Sequence, residues 1–148
     1  IPQLKRLDKL NERRQELASF LFEEISKFDF LEPPKIRNKC THVYYLFPMK
    51  YDSSVLKVSR DKFIEAINAE GFPVANYVRP LMEIPLFKRK FGNTENLDLQ
   101  NYPITKNLWE DSMIITSICR PPLNISDMKN FVKALDKIAN SANLLRNL

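Results

Sequence analysis

Glycine is nearly missing. The 148 residues hold two, Gly71 and Gly92. That excludes a glycine-rich phosphate loop of either the GxGxxG or the GxxxxGKS/T kind. If the protein handles a phosphorylated cofactor, this chain does not cradle it in such a loop. Cysteine is also scarce. Cys40 and Cys119 are far apart and form no CxxC pair, so there is no disulfide framework, and the pattern suits a reducing, cytoplasmic setting. A single histidine, His42, excludes a His-rich metal centre. No apolar run approaches the about 18 residues that a membrane helix needs. The opening Ile1-Pro2-Gln3-Leu4-Lys5-Arg6 leads into a charged segment and not an apolar one, unlike a secretory signal. It also lacks an initiator Met, which reads as a processed chain or one cut from a longer protein. Charge of one sign is not concentrated. The 23 basic and 18 acidic residues give a net charge of +5, and they interleave, whereas a nucleic-acid binder gathers its basic residues. There is no internal repeat and no low-complexity tract.

What is present fits one globular domain with its own core, at 44% hydrophobic and 28% charged residues. Leu17, Leu21, Ile25 and Phe28 recur at helical spacing, and Leu7 and Leu10 continue the stripe upstream. A helix is expected from Leu4 to about Phe28, its other face charged. Pro33-Pro34 ends the loop that follows. In Thr41 to Tyr51, Val43, Tyr45, Phe47, Met49 and Tyr51 alternate with His42, Tyr44, Leu46, Pro48 and Lys50, the pattern of a strand. Pro48 marks an edge or a bulge. Asp52-Ser53-Ser54 reads as a loop. Ser59 caps a helix carrying Phe63, Ile64 and Ile67, which Gly71 closes in a left-handed turn. Pro73 to Val78 is a short strand. Pro80 to Pro85 reads as irregular, Leu86 to Phe91 as one or two helical turns, and Gly92 to Tyr102 as a polar loop. Pro103 opens a short helix reaching Leu108 and Trp109. Met113 to Ile118 is a buried strand, stopped by Arg120-Pro121-Pro122. Asn124 caps the last helix, whose stripe is Met128, Phe131, Val132, Leu135, Ile138 and Ala139. The order predicts an α+β fold: an antiparallel or mixed sheet of three to four strands, packed with a long N-terminal and a C-terminal helix.

No catalytic set is visible, and no catalytic, cofactor-binding or metal-binding residue is assigned. His42 would have to serve as the base of any triad, and nothing selects a nucleophile for it; Cys40 lies close in sequence but out of hydrogen-bond register on a strand. The segment Tyr77-Val78-Arg79-Pro80 follows a strand. Alternation puts Tyr77 and Arg79 on one face of its end, and Pro80 stiffens the backbone after them. Tyr77 and Arg79 are therefore the leading substrate-binding candidates, with His42 third. Plainer readings stand beside them: a surface arginine next to a structural proline, and a structural histidine. Arg120-Pro121-Pro122 reads as a structural turn, Lys88-Arg89-Lys90 as a solvated face, and the phenylalanines as core.

Several short motifs, in order and spacing, carry the reading further. Leu10-Asn11-Glu12-Arg13-Arg14-Gln15-Glu16-Leu17-Ala18 resembles the entry helix of the small domain in the DegT/DnrJ/StrS sugar aminotransferases. His42-Val43-Tyr44-Tyr45-Leu46-Phe47 resembles a strand of that domain, Ser59-Arg60-Asp61-Lys62-Phe63-Ile64 a helix start, and Glu70-Gly71-Phe72-Pro73-Val74 a turn. Arg79-Pro80-Leu81 through Pro85-Leu86-Phe87, then Pro103-Ile104-Thr105 and Asp127-Met128, resemble its closing segments. The resemblance spans almost the whole chain. It implies a single domain over residues 1–148, the C-terminal small domain of an aspartate-aminotransferase-type fold, with the large domain absent from this chain. It implies a pyridoxal-phosphate (PLP) enzyme as parent, moving an amino group onto a keto-sugar or keto-cyclitol in nucleotide-sugar or aminocyclitol biosynthesis. The Schiff-base lysine and the phosphate loop would sit in the missing domain. This chain would then supply one wall of the substrate site and help pack a homodimer, and would bind no cofactor and catalyse nothing alone. Many family members carry His near the positions of Tyr77 and Met82, so a substrate-binding histidine does not transfer there. The alternative is a stand-alone, non-catalytic interaction domain of the same fold. Neither reading involves nucleic acid or a membrane.

Overall fold

A computed structural model describes residues 2–91 and 98–146. Most of the expected Gly92 to Tyr102 loop lies outside the described residues; its end, Leu99–Asn101, forms a 3-10 turn. The first helix, α1 (Leu7–Ile25), follows a 3-10 turn at Leu4–Arg6. It buries Leu17, Ala18, Leu21 and Ile25. The stripe upstream does not reach the core: Leu7 is 45% and Leu4 67% exposed. Two-residue β1 (Leu31–Glu32) precedes the Pro33-Pro34 pair, where a loop was expected. β2 (Phe47–Tyr51) is followed by the short α2 (Ser53–Leu56), in place of the expected loop. The Asp52 carboxylate caps α2 by accepting from the Ser54 amide at 2.9 Å.

α3 (Arg60–Ala69) starts where the Ser59 hydroxyl accepts from the Lys62 amide, and Gly71 turns the chain out of it at φ +90. β3 (Val74–Asn76) follows, then α4 (Pro85–Phe91) and α5 (Pro103–Asn107), which continues as a wider π-turn over Leu108–Ser112. β4 (Met113–Thr116) leads to α6 (Ile125–Asn140) and the short α7 (Ala142–Arg146). Asn124 and Asp127 form a reciprocal capping box at the start of α6.

The sheet is antiparallel, in the order β1-β2-β4-β3. Its register pairs Pro48 with Ile115, and Ile115 with Ala75 on the other side. β1 stops at Glu32, opposite Lys50. Pro48 therefore has one paired neighbour, and the missing amide falls at a local edge, as its ring requires. Period-2 alternation sends Phe47, Met49, Tyr51, Val74, Ile114 and Thr116 into the core. There they meet Leu17, Leu21 and Ile25 of α1, Phe63 and Ile67 of α3, and Met128, Phe131 and Leu135 of α6. The opposite face carries Leu46, Pro48, Met113 and Ile115, all half-buried, with Lys50 and Ala75 exposed.

The expected strand over Thr41 to Tyr51 forms only in its second half. Tyr44 takes a left-handed backbone at φ 46, which throws the alternation out of phase. Tyr44 turns inward, 6% exposed, and Tyr45 turns out, 73% exposed. Two hydrogen bonds, one local and one from α1, hold the chain in this turn. The Tyr44 amide donates to His42 Nδ1 at 2.9 Å, and Gln15 Nε2 of α1 donates to the His42 carbonyl at 3.2 Å. A strand cannot continue through a residue folded back in this way.

Candidate functional site

A shallow pocket of about 260 Å³ opens on the outer face of the sheet. Its floor is Leu46, Pro48, Met113 and Ile115, contributed by β2, β4 and the residue before β2. His42, Tyr45 and Tyr77 stand at its rim. Pairing of Pro48 with Ile115 and of Lys50 with Met113 sets the floor. The turn at Tyr44 brings His42 and Tyr45 over it from one side. Tyr77, the residue after β3, reaches it from the other, since β3 pairs with β4 through Asn76 and Ile114.

Of the three residues singled out in the sequence, His42 and Tyr77 meet here. Arg79 does not line this pocket, is exposed, and has no hydrogen-bond or ion-pair partner among the described residues. Tyr77 and Arg79 both lie beyond the last paired residue of β3, so the strand alternation expected to put them on one face does not extend to them. Tyr45 is not among the three: the expected alternation places it on one face with Phe47, Met49 and Tyr51, and the turn at Tyr44 brings it to the rim instead.

His42 is anchored firmly. Its ring packs on Tyr44 at 4.4 Å between centroids, and Tyr44 in turn stacks on Phe47 at 5.7 Å. Burial raises the Tyr44 phenol above its ordinary value, with a smaller contribution from the nearby Cys119 thiol, so it stays neutral. No lysine, arginine or carboxylate lines the pocket among the described residues. It can therefore offer hydrogen bonds and apolar contact, but not an ion pair.

A larger cleft, about 670 Å³, lies between β1, β2 and α5, with Asp29, Glu32, Asp52 and Asp111 around Lys50. Two of its carboxylates already have structural partners. Glu32 binds Lys35 at 2.7 Å and Lys50 at 3.7 Å, and the Lys35 hydrogen bond and charge hold its carboxyl below the usual range. Asp52 is held low by the Ser54 hydroxyl and amide that it caps. No metal-holding group of three such side chains occurs among the described residues. The outer-face pocket is the better site candidate, because its rim groups have capacity left.

The family model described as the DegT/DnrJ/EryC1/StrS aminotransferase family matches residues 1–136. An uncharacterized protein of Methanocaldococcus jannaschii is 26% identical over 138 residues, covering 93% of this chain and 34% of that protein. A UDP-4-amino-4,6-dideoxy-N-acetyl-beta-L-altrosamine transaminase of Campylobacter jejuni is 29% identical over 138 residues, covering 90% of this chain and 33% of the enzyme. Among solved structures, an aminotransferase from Psychrobacter cryohalolentis superposes with a TM-score of 0.74 at 26% identity, over 95% of this chain and 37% of that one. The chain thus spans about a third of the length of the proteins it matches. The α+β layer with its four-stranded sheet is the one found in these aminotransferases of the aspartate-aminotransferase-like fold.

Proposed function

The chain belongs to the DegT/DnrJ/EryC1/StrS aminotransferase family, and from that membership we propose that it is the C-terminal small domain of a PLP-dependent sugar aminotransferase. In this reading the whole protein moves an amino group onto a keto-sugar or keto-cyclitol in the cytoplasm. This domain gives one wall of the substrate site and part of the packing of a homodimer. The observation that carries the reading is coverage: nine-tenths of the chain aligns with one third of a sugar-nucleotide transaminase. A match that takes up most of this chain and one third of the enzyme supports reading the chain as one domain of such a protein.

PLP needs an amine in an enclosed site and a backbone cradle for its phosphate. The described residues do not fit it. Every described lysine is exposed or half-buried; none lines the outer-face pocket, and Lys50, which lines the larger cleft, is exposed and paired with Glu32 at 3.7 Å. No chemical step is therefore assigned to this chain. Its contribution is to bind and orient. Tyr77 and His42 supply hydrogen bonds at the pocket rim, and Arg79 stands outside it with its guanidinium in solvent, available to a carboxylate or phosphate of the substrate or amino donor.

The test is an assay of the full-length protein that carries this chain, with PLP, glutamate and a panel of nucleotide-linked keto-sugars. Amino transfer to one of them is expected. Absence of transfer across the panel and across keto-cyclitols would reject the reading. So would a stoichiometric, borohydride-trapped PLP adduct at one lysine of the isolated 148 residues, accompanied by turnover.

A further inference from the structure

His42 is the residue at the rim whose hydrogen-bonding state the surrounding structure dictates. A neutral imidazole has one nitrogen that donates and one that accepts. A backbone amide can only donate, and the Tyr44 amide sits 2.9 Å from His42 Nδ1. Nδ1 must therefore present its lone pair, which places the ring proton on Nε2. Nε2 has no partner among the described residues, and the imidazole lines the pocket.

Three further contacts hold residues 42–44 in place. Gln15 holds the His42 carbonyl from α1. The Tyr44 ring packs against the imidazole at 4.4 Å between centroids, tilted by 48°. Tyr44 itself holds a left-handed backbone, uncommon for a non-glycine residue, with its ring buried and stacked on Phe47.

We propose that His42 has two separable roles: Nδ1 folds residues 41–46 into the pocket rim, and Nε2–H is a donor of fixed tautomer for an uncharged oxygen acceptor, a hydroxyl or carbonyl on the sugar ring of the substrate. The chemistry of the pocket selects that part of a ligand. Its floor is apolar, its rim adds the phenols of Tyr45 and Tyr77, and no charged side chain lines it among the described residues. A sugar ring has an apolar C–H face and a hydroxyl edge, which suits such a lining. A diphosphate needs cations or a nest of amides. The identity of the ligand rests on the function proposed above; the tautomer and the folding role do not. Gln15 and Tyr44 are positioning residues, acting through His42.

Because His42 is the chain's sole histidine, its nitrogen signals assign themselves. Long-range proton–nitrogen correlation on the 15N-labelled 148-residue chain should find Nδ1 unprotonated and Nε2 protonated. Two substitutions separate the roles. His42→Asn keeps an acceptor near the Nδ1 position, and His42→Gln keeps an amide near the Nε2 position. The Asn variant should retain the wild-type melting temperature and the slow exchange of the Tyr44 amide. The Gln variant should exchange that amide about tenfold faster, as loss of one hydrogen bond implies. N-acetylglucosamine, used as the probe, should shift the Nε2 signal of the wild type, and the Asn variant should bind it more weakly. A proton on Nδ1, equal Tyr44 exchange in the two variants, or an Nε2 signal indifferent to the sugar would each overturn the proposal. Transaminase activity in the full-length protein alongside an indifferent Nε2 would reject this inference and leave the function standing. An Nε2 that responds to sugar in a protein without transaminase activity would do the reverse.

Discussion

Arg60 and Arg79 are both arginines within segments that resemble family motifs, yet the chain uses them in opposite ways. Arg60 is 7% exposed. Its guanidinium donates to the Trp109 carbonyl and to Asp61 at 3.0 Å. The Asp61 carboxylate is itself exposed, so that ion pair contributes little. The bond to the Trp109 carbonyl ties α3 to the π-turn before β4 and leaves that turn's backbone satisfied. Arg60→Ala should lower stability by about 1.5–3 kcal/mol, the range for hydrogen bonds to charged groups, as measured by urea unfolding; an unchanged midpoint would show that the turn holds without it. Arg79→Ala should do the opposite. The side chain is exposed and unpaired among the described residues, so melting should not move. In the full-length enzyme kcat/KM should fall by about 1.5–3 kcal/mol, the size of a charged hydrogen bond to substrate or donor. Unchanged kinetics with a large loss of stability would make Arg79 a structural residue. The cysteines differ in the same manner. Cys40 is exposed and Cys119 buried. Burial pushes the Cys119 thiol up to about 12, and burial with the neighbouring Asp52 charge pushes the Tyr51 phenol up to about 12. Both groups keep their protons in the fold above the pH at which an unfolded chain releases them. Unfolding then releases protons, so stability present below the ordinary thiol and phenol values falls as pH rises toward 12. Iodoacetamide at neutral pH should label Cys40 alone, and both thiols only in denaturant. Rapid native labelling of Cys119 would contradict its burial.

At the scale of elements, the cap signals are where sequence and structure coincide, because capping is a contact between near neighbours. Asn124 accepts from the Ser126 amide at 2.8 Å, and Asp127 returns the contact to the Asn124 amide at 2.8 Å. Asn124→Ala should cost about 1 kcal/mol, read as a shift of the urea midpoint at constant slope; no shift would mean that packing of the α6 stripe alone sets where the helix begins. The stripes of α1 and α6 and the left-handed exit at Gly71 were legible for the same local reason. What was not legible depended on distant partners. Tyr44 carries no glycine-like signature, and its left-handed turn is stabilised in part by Gln15, which holds the His42 carbonyl from 27 positions upstream of His42. Its effect on Tyr45 could not be read from alternation. Two-residue β1 is too short to show a period, and it exists because Leu31 and Glu32 lie against Tyr51 and Lys50. The site was legible in part. His42 and Tyr77 were candidates from residue type and from the end of a strand. That they share one pocket, and that Arg79 lies outside it, follows from the β2-β4-β3 order, which no local pattern encodes.

The chain as a whole has apolar surface beyond its own core. Leu4 and Leu7 are 67% and 45% exposed on the first turns of the N-terminal helix. These leucines continue the buried stripe of α1, at the same helical phase as residues that are fully covered further along. Side chains of this kind gain about 1.5–3 kcal/mol each on full burial, so two of them favour any surface that can cover both. In the proposed full-length enzyme that surface is the large domain. In the isolated chain a second copy is the expected cover. The 148 residues should therefore sediment as more than the 17.4 kDa of one chain when concentrated, and Leu4→Glu with Leu7→Glu should return them to monomers without lowering the melting temperature, because neither side chain belongs to the core. The same double substitution in the full-length protein should loosen the contact between its domains and lower stability there. A chain that stays monomeric at high concentration, or one whose association ignores both substitutions, would show that these leucines are ordinary exposed residues and that the first helix needs no partner.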